Sequence, residues 1–400
     1  MTSNAGGMSR RRLLALAGGA VGAAAAGGAI TTIDGRTAVT DTVEFHGDHQ
    51  AGITTPQQAH LRFAAFDLTK ASRDDVSRLM RQWTAAAALM AGGRSLGRIE
   101  SNQWAPPIDT GEADGLPAAR LTVTLGLGPT FFDRLGLESQ RPEQLAPVPH
   151  FAADALVPGH SNGDLCLQVC ADDPQIAYHA QRNLTRIGLG TVALRWTQSG
   201  FLGLPGEGRT PRNLMGFKDG TANLDASDAG LMRSNVWAAA SDGQTWIAGG
   251  SYLVSRRVRI RIEAWDRTPI GEQESIFGRR KGNGAPFGGS SEHDRVVDSK
   301  LPADAHIRLA NPRTGAASER QRILRRGYNF DDGMAPGLTQ SDAGLFFLAY
   351  QRDPRIQFVP IQHRLASSDR LNEYIQHTSS GLWAVPPGTA GGYLAEPLLT

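Results

Sequence analysis

Four hundred residues, 40% hydrophobic and 20% charged, can bury one large core or two moderate ones. A net charge of +2 with no dense basic run argues against an electrostatic nucleic-acid footprint. The 47 glycines and 22 prolines promise many turns, but apolar segments recur throughout, which excludes extended disorder beyond the N-terminus.

At the start of the chain, Ser9-Arg10-Arg11-Arg12-Leu13-Leu14 precedes an alanine- and glycine-rich apolar run from Ala15 to Ile30. A charged segment followed by a short apolar one reads as a targeting signal. The paired arginines select the twin-arginine route, and residues 1–40 are set apart as that signal segment. An uncleaved anchor is the competing reading, although glycine-rich runs make poor spans. No second hydrophobic stretch approaches spanning length, so no stable membrane span is expected after signal removal. The expected destination is the periplasm, the cell envelope or the extracellular space. Twin-arginine substrates cross already folded, which suits a chain that takes up a cofactor in the cytoplasm.

Residues 31–58 are polar and loop-like. His46 and His49 lie close together there, but no third ligand is near, so a structural loop is preferred to a metal site. Leu61 to Phe66 alternates as a strand. Ser72, with Asp75 three residues on, opens a helix whose apolar positions Val76, Leu79, Trp83, Ala87 and Met90 keep a three-to-four spacing. Gly92-Gly93 ends it. Leu121, Val123 and Leu125 mark a second strand and Leu165 to Val169 a third. Asp173-Pro174 opens a second helix through Ile187, and Val192, Leu194 and Trp196 mark a fourth strand. Cys166 and Cys170 would stand roughly 13 Å apart on an extended strand, beyond disulfide reach, so two buried thiols are expected.

The order β-α-β-β-α-β is a ferredoxin-like unit. The second half repeats it less clearly. Tyr252 to Val258 is read as extended, Arg259 to Trp265 as a short helix, and His306 to Leu309 and Gln321 to Arg325 as strands. Leu345 to Tyr350 is read as a buried strand, followed by helices over Pro354 to Leu365 and Ser368 to His377. Two such halves with facing sheets would leave a pocket between them. Gly278 to Gly289 is basic and glycine-rich but lacks a phosphate-loop order, so it is read as a surface loop, with shaping of an access channel as a lesser role.

Three stretches carry chemistry. Gly216-Phe217-Lys218-Asp219-Gly220-Thr221-Ala222-Asn223 sets one carboxylate between glycines and beside apolar residues, the setting of a partly shielded acid/base, although an Asp-Gly turn would look the same. The others are Asp304-Ala305-His306-Ile307-Arg308-Leu309-Ala310-Asn311-Pro312-Arg313 and Ile323-Leu324-Arg325-Arg326-Gly327-Tyr328. In that order, the three resemble the dye-decolorizing (DyP-type) haem peroxidases, from about Phe45 to the end of the chain. The resemblance is closest to the exported branch that includes the deferrochelatase/peroxidases.

The resemblance implies an α+β fold of two ferredoxin-like units with facing antiparallel sheets (dimeric α/β-barrel-like), the haem lying between sheet and helices. The halves would be 41–215 and 216–400, the second carrying most of the site. It implies one haem b per chain, with His306 as the axial ligand to iron. Asp369 or Glu373 would orient that imidazole. Asp219 would be the distal acid/base and Arg325 the distal cation; Arg326 beside it would face the other way on a strand. Gly220, Thr221, Ala222, Asn311, Pro312, Arg313, Leu345 and Phe347 match the family's haem-contacting positions. Tyr328, Tyr350, Trp196 and Trp265 are candidate electron relays, with core packing the alternative.

The expected partners are hydrogen peroxide and small aromatic reductants such as phenols or dyes, with envelope iron-uptake proteins and a homo-oligomer as further candidates. Release of iron from haem with the porphyrin intact is an alternative in the same fold. A non-catalytic envelope haem-binding protein is another, against which the Asp219 and Arg325 pair argues. An aspartate shuttle carries an acidic pH optimum as its expectation.

Overall fold

The computed structural model describes residues 41–400 apart from 98–102, 153, 207–208, 336 and 338. The expected signal segment therefore lies outside the described residues. Residues 41–400 form one compact unit. Its strands are β1 (His60–Leu68), β2 (Thr122–Leu127), β3 (Leu165–Ala171), β4 (Val192–Phe201), β5 (Ser251–Ile260), β6 (Leu324–Arg325), β7 (Tyr328–Met334), β8 (Ser341–Gln351) and β9 (Ile375–Val385).

The first four strands pair antiparallel in the order β4-β1-β3-β2. The later ones pair as β9-β5-β8-β7, the same ferredoxin-like order. Single pairs join the two sheets at each side, Leu127 with Ala384 and Phe201 with Asn329, so that eight strands close a ring. The short β6 lies along β8 beyond the end of β7.

Local signals explain the first half. Ser72 and Asp75 form a capping box at the N-terminus of the helix Arg73–Ala91, which buries Val76, Leu79, Met80, Trp83 and Met90. Asp173 accepts from the backbone of Gln175 and Ile176, and Pro174 starts the helix Pro174–Ile187 without needing a donor. Trp83 ties the two helices together by donating to the Leu184 carbonyl at 2.7 Å. Cys166 and Cys170 are buried free thiols, as expected.

The space between the sheets is not a pocket. Phe63 of β1 meets Phe346 of β8 at 5.2 Å between ring centroids, and Trp196 and Trp383 fill the space around them. The cavity lies instead on the outer face of the second sheet, where Arg256, Val258, Leu345, Phe347 and His377 point toward helices. This follows from the two-residue period of a strand, since Arg257 and Phe346 take the opposite face.

Several expected elements differ. His306–Ala310 is a helix rather than a strand. Four residues with apolar side chains at alternate positions fit either form, and the amides of Arg308 and Leu309 both bond back to the Ala305 carbonyl. Gln321 to Ile323 lie outside the strand, which is Leu324–Arg325. Arg259 still belongs to β5, and the short helix begins at Ile262. Pro354 to Gln357 form turns, and the helix runs Phe358–Ser368. After it, one 3-10 turn covers Arg370–Glu373, and Ile375 opens β9, so His377 stands on a strand.

Candidate functional site

The cavity, about 240 Å³, is walled by β5, β8 and β9 on one side and by the helices His306–Ala310 and Phe358–Ser368 on another. The 216–223 motif closes a further wall. Gly220 has a φ of 127° and Gly216 of 84°, conformations that a side-chain-bearing residue rarely adopts. Arg212 fastens this turn by donating to the carbonyls of Gly216, Lys281 and Gly282, each at 2.7 Å. Asp219 is thereby presented half-buried, with its amide bonded to the Pro211 carbonyl at 2.9 Å.

Arg325 donates from Nη1 to Asp219 Oδ1 at 2.5 Å. Its neighbour Arg326 turns the other way, donating to the Thr55 carbonyl and to Gln58, and is buried. Asp219 and Arg325 also line a second, smaller cavity of about 50 Å³ bounded by Gln57, Asn213, Asn223 and Asn329. The pair therefore stands between two spaces. The smaller one mixes these polar groups with Leu202, Leu345 and Phe347 and has room for a molecule the size of water or peroxide.

His306, at the first position of its helix, lines the main cavity. Its Nδ1 lies 2.6 Å from Asp369 Oδ2, while Asp369 Oδ1 accepts from the Leu371 amide. Asp369 rather than Glu373 is thus the orienting carboxylate. Burial disfavours the imidazolium, but the Asp369 charge and hydrogen bond outweigh it and raise the His306 pKa, with Asp219 adding to the effect and Arg325 opposing it. With Nδ1 committed, Nε2 is the nitrogen left for a ligand on the cavity side.

Of the expected haem-contacting residues, Gly220, Thr221, Ala222, Asn311, Arg313, Leu345 and Phe347 line the cavity together with His306 and Arg325. Pro312 is not among the lining residues. Arg313 donates from Nη1 to Asp298 and to the Ile307 carbonyl, each at 3.0 Å. The four aromatic relay candidates are all buried, so none meets a bulky reductant at the surface directly.

Other lining residues were not expected. Arg279 comes from the loop read as superficial, yet it is buried and donates to the carbonyls of Gly284 and Glu292. Burial and the nearby Arg313 and Arg325 lower its pKa, with Glu292 acting against them. It remains cationic at any relevant pH. Arg256 and His377 line the floor. Arg256 pairs with the buried Asp154, and burial together with Arg256 pushes the His377 pKa down to about 3, opposed by Asp154.

These residues fit a haem. Leu345, Phe347, Phe277 and Val258 offer apolar contact, His306 offers an axial nitrogen, and Arg279 and Arg313 offer cations to carboxylate side chains. His46 and His49 are engaged elsewhere, His49 stacking on Trp237 at 3.7 Å.

Comparison with known proteins agrees with this geometry. Residues 50–202 match the family model described as Dyp-type peroxidase, N-terminal, and residues 210–390 that described as Dyp-type peroxidase, C-terminal. The chain is 39% identical to a deferrochelatase of Yersinia pseudotuberculosis over 98% of its own length and 95% of the relative's. It is 40% identical to a deferrochelatase of Escherichia coli O157:H7, covering 89% of this chain and 86% of that one. Among solved structures, ferric DtpA from Streptomyces lividans superposes with a TM-score of 0.82 at 37% identity, covering 90% of this chain and 98% of that one. A DyP-type peroxidase from Cellulomonas bogoriensis gives 0.80 at 38% identity, covering 90% and 99%.

Proposed function

The chain belongs to the Dyp-type peroxidase family of haem-dependent enzymes, and from that premise we propose that it is an exported haem b peroxidase oxidising phenols, dyes or similar reductants with hydrogen peroxide. When bound, haem supplies an iron and a conjugated ring that take oxidising equivalents from peroxide and pass them to a reductant. His306 would hold the iron, with Nε2 as the nitrogen left free, and Asp369 keeps the imidazole oriented. Asp219 accepts a proton from peroxide and returns it to the departing oxygen. Arg325 stabilises the negative charge that develops on that oxygen. Leu345 and Phe347 form the apolar wall that limits water, and Arg279 and Arg313 would hold the haem's propionates.

The observation that carries this reading is the Asp219–Arg325 contact in the cavity that His306 also lines. Simple haem carriage needs no such pair. The proposed halves, 41–215 and 216–400, place Asp219, His306 and Arg325 together in the second. Export by the twin-arginine route rests on the Arg10-Arg11-Arg12 segment and its apolar run. Changing these arginines to lysine and following the mature protein to the periplasm, envelope or medium tests it.

Iron release from haem is the second reading, favoured by the relatives named deferrochelatase. The two are separated by exposing the holoprotein to peroxide with a phenolic reductant, and to a reductant alone. Oxidised phenol with intact haem supports the peroxidase, and metal-free porphyrin in the second arm supports iron release. The Soret response to one equivalent of peroxide is then compared for wild type, Asp219→Ala, Arg325→Leu and His306→Ala. A response slowed in the first two variants and lost in the third is expected. A wild-type spectrum that ignores peroxide overturns the peroxidase reading.

A further inference from the structure

Arg325 sits on a strand of only two residues. One edge of that strand is bonded to β8, where Arg325 lies opposite Ala349. Its other edge faces the 216–223 motif at Asn223. Backbone groups on such an edge need partners. They find them in one side chain. Asn223 Nδ2 donates to the Arg325 carbonyl at 2.8 Å, and Asn223 Oδ1 accepts from the Arg325 amide at 2.9 Å.

Asn223 thus pairs with Arg325 as a neighbouring strand would. It also belongs to the same turn as Asp219, and its own amide bonds to the Gly220 carbonyl at 2.9 Å. We infer that Asn223 is a positioning residue that locks the spacing of Asp219 and Arg325, so that the carboxylate and the guanidinium meet peroxide as a preset pair. The inference rests on the reading of Asp219 and Arg325 as distal groups. An amide is required because the task needs one donor and one acceptor side by side. Aspartate would keep the acceptor but set an oxygen against the Arg325 carbonyl and add a charge beside the guanidinium. Alanine would free both backbone groups, and the charge contact alone would then hold the pair.

The test uses holoprotein of wild type, Asn223→Ala, Asn223→Asp and Arg325→Leu. Four quantities are measured: haem per chain, thermal midpoint, cyanide affinity of the ferric form, and the bimolecular rate with hydrogen peroxide across pH. Asn223→Ala is expected to load haem as wild type does and to melt somewhat lower, because two main-chain groups lose their partners. Its peroxide rate should fall about 10- to 100-fold, the cost of a displaced catalytic group. Cyanide affinity should weaken as well, and Asn223→Asp should displace the pH profile. If Arg325→Leu is slow while Asn223→Ala keeps wild-type rate and cyanide affinity, the inference fails and the distal reading stands. If Asn223→Ala loses rate only in proportion to lost haem, Asn223 is structural and the inference fails. If Arg325→Leu itself reacts at the wild-type rate, the distal reading falls and the inference with it.

Discussion

The carboxylate of Asp369 backs the imidazole of His306 at 2.6 Å while its second oxygen is held by the Leu371 amide. An orienting carboxylate fixed at both oxygens cannot swing away, so the ring plane and tautomer of His306 are set by the 369–371 turn. Replacing Asp369 by alanine should weaken haem retention or peroxide activity by about 10- to 100-fold, the usual cost of losing such a partner. Haem titration of the apoprotein checks this. Unchanged affinity and unchanged activity would remove Asp369 from the site.

Asp219 and Arg325 touch at 2.5 Å and on the proposed reading meet the same peroxide, so their removal should not be additive. Asp219→Asn keeps the shape and loses the base, and the peroxide rate should fall by about 10²- to 10⁴-fold. Arg325→Leu should cost about 10²- to 10³-fold through lost stabilisation of the departing charge. The double variant should be little slower than the worse single one. Stopped-flow rates at matched haem content decide. A double variant slowed by the product of the two would mean independent roles.

Legibility along the chain followed the length of each pattern. Ser72 with Asp75, and Asp173 with Pro174, are capping signals that act within one turn, and both helices begin where these residues stand. His306–Ala310 and Arg370–Glu373 are short, and their form is set by what they pack on, which periodicity over so few residues does not encode. The three motif residues Asp219, His306 and Arg325 do share one cavity. Arg279 left no trace, since nothing in the basic run Arg279-Arg280-Lys281 marks which of the three cations turns inward. The pattern over Ser368 to His377 reads as a helix, which hides the place of His377 beside Arg256 and Val258 on the cavity floor. Asn223 closes the 216–223 motif, but its bonds to the main chain at Arg325 depend on tertiary pairing across 102 positions.

Arg256 on the floor and Asp154 behind it form an ion pair with side chains 1% and 0% exposed. Charges so far from water are tolerable only together. Asp154→Ala should destabilise the protein by about 3–5 kcal/mol, because it leaves a buried guanidinium without its counter-charge. Adding Arg256→Met should recover part of that loss. Denaturant unfolding of the three forms tests both steps, and a single variant as stable as wild type would mean that water or another group reaches Arg256.

His377 stands against the same pair, and burial first, then Arg256, hold its pKa at about 3 against an ordinary 6.5, with Asp154 pulling the other way. The folded imidazole therefore stays neutral where the unfolded chain already binds a proton. That difference favours folding fully above about pH 6.5 and drains away as pH falls toward 3, at up to about 1.4 kcal/mol for each pH unit. His377→Gln, which cannot titrate, should lose this component and show a flatter fall in stability between pH 7 and pH 4. The comparison isolates His377 because the carboxylates that titrate in that window are common to both proteins. Coincident slopes for the variant and wild type would show that His377 takes up its proton in the folded state, and that the floor of the cavity admits water.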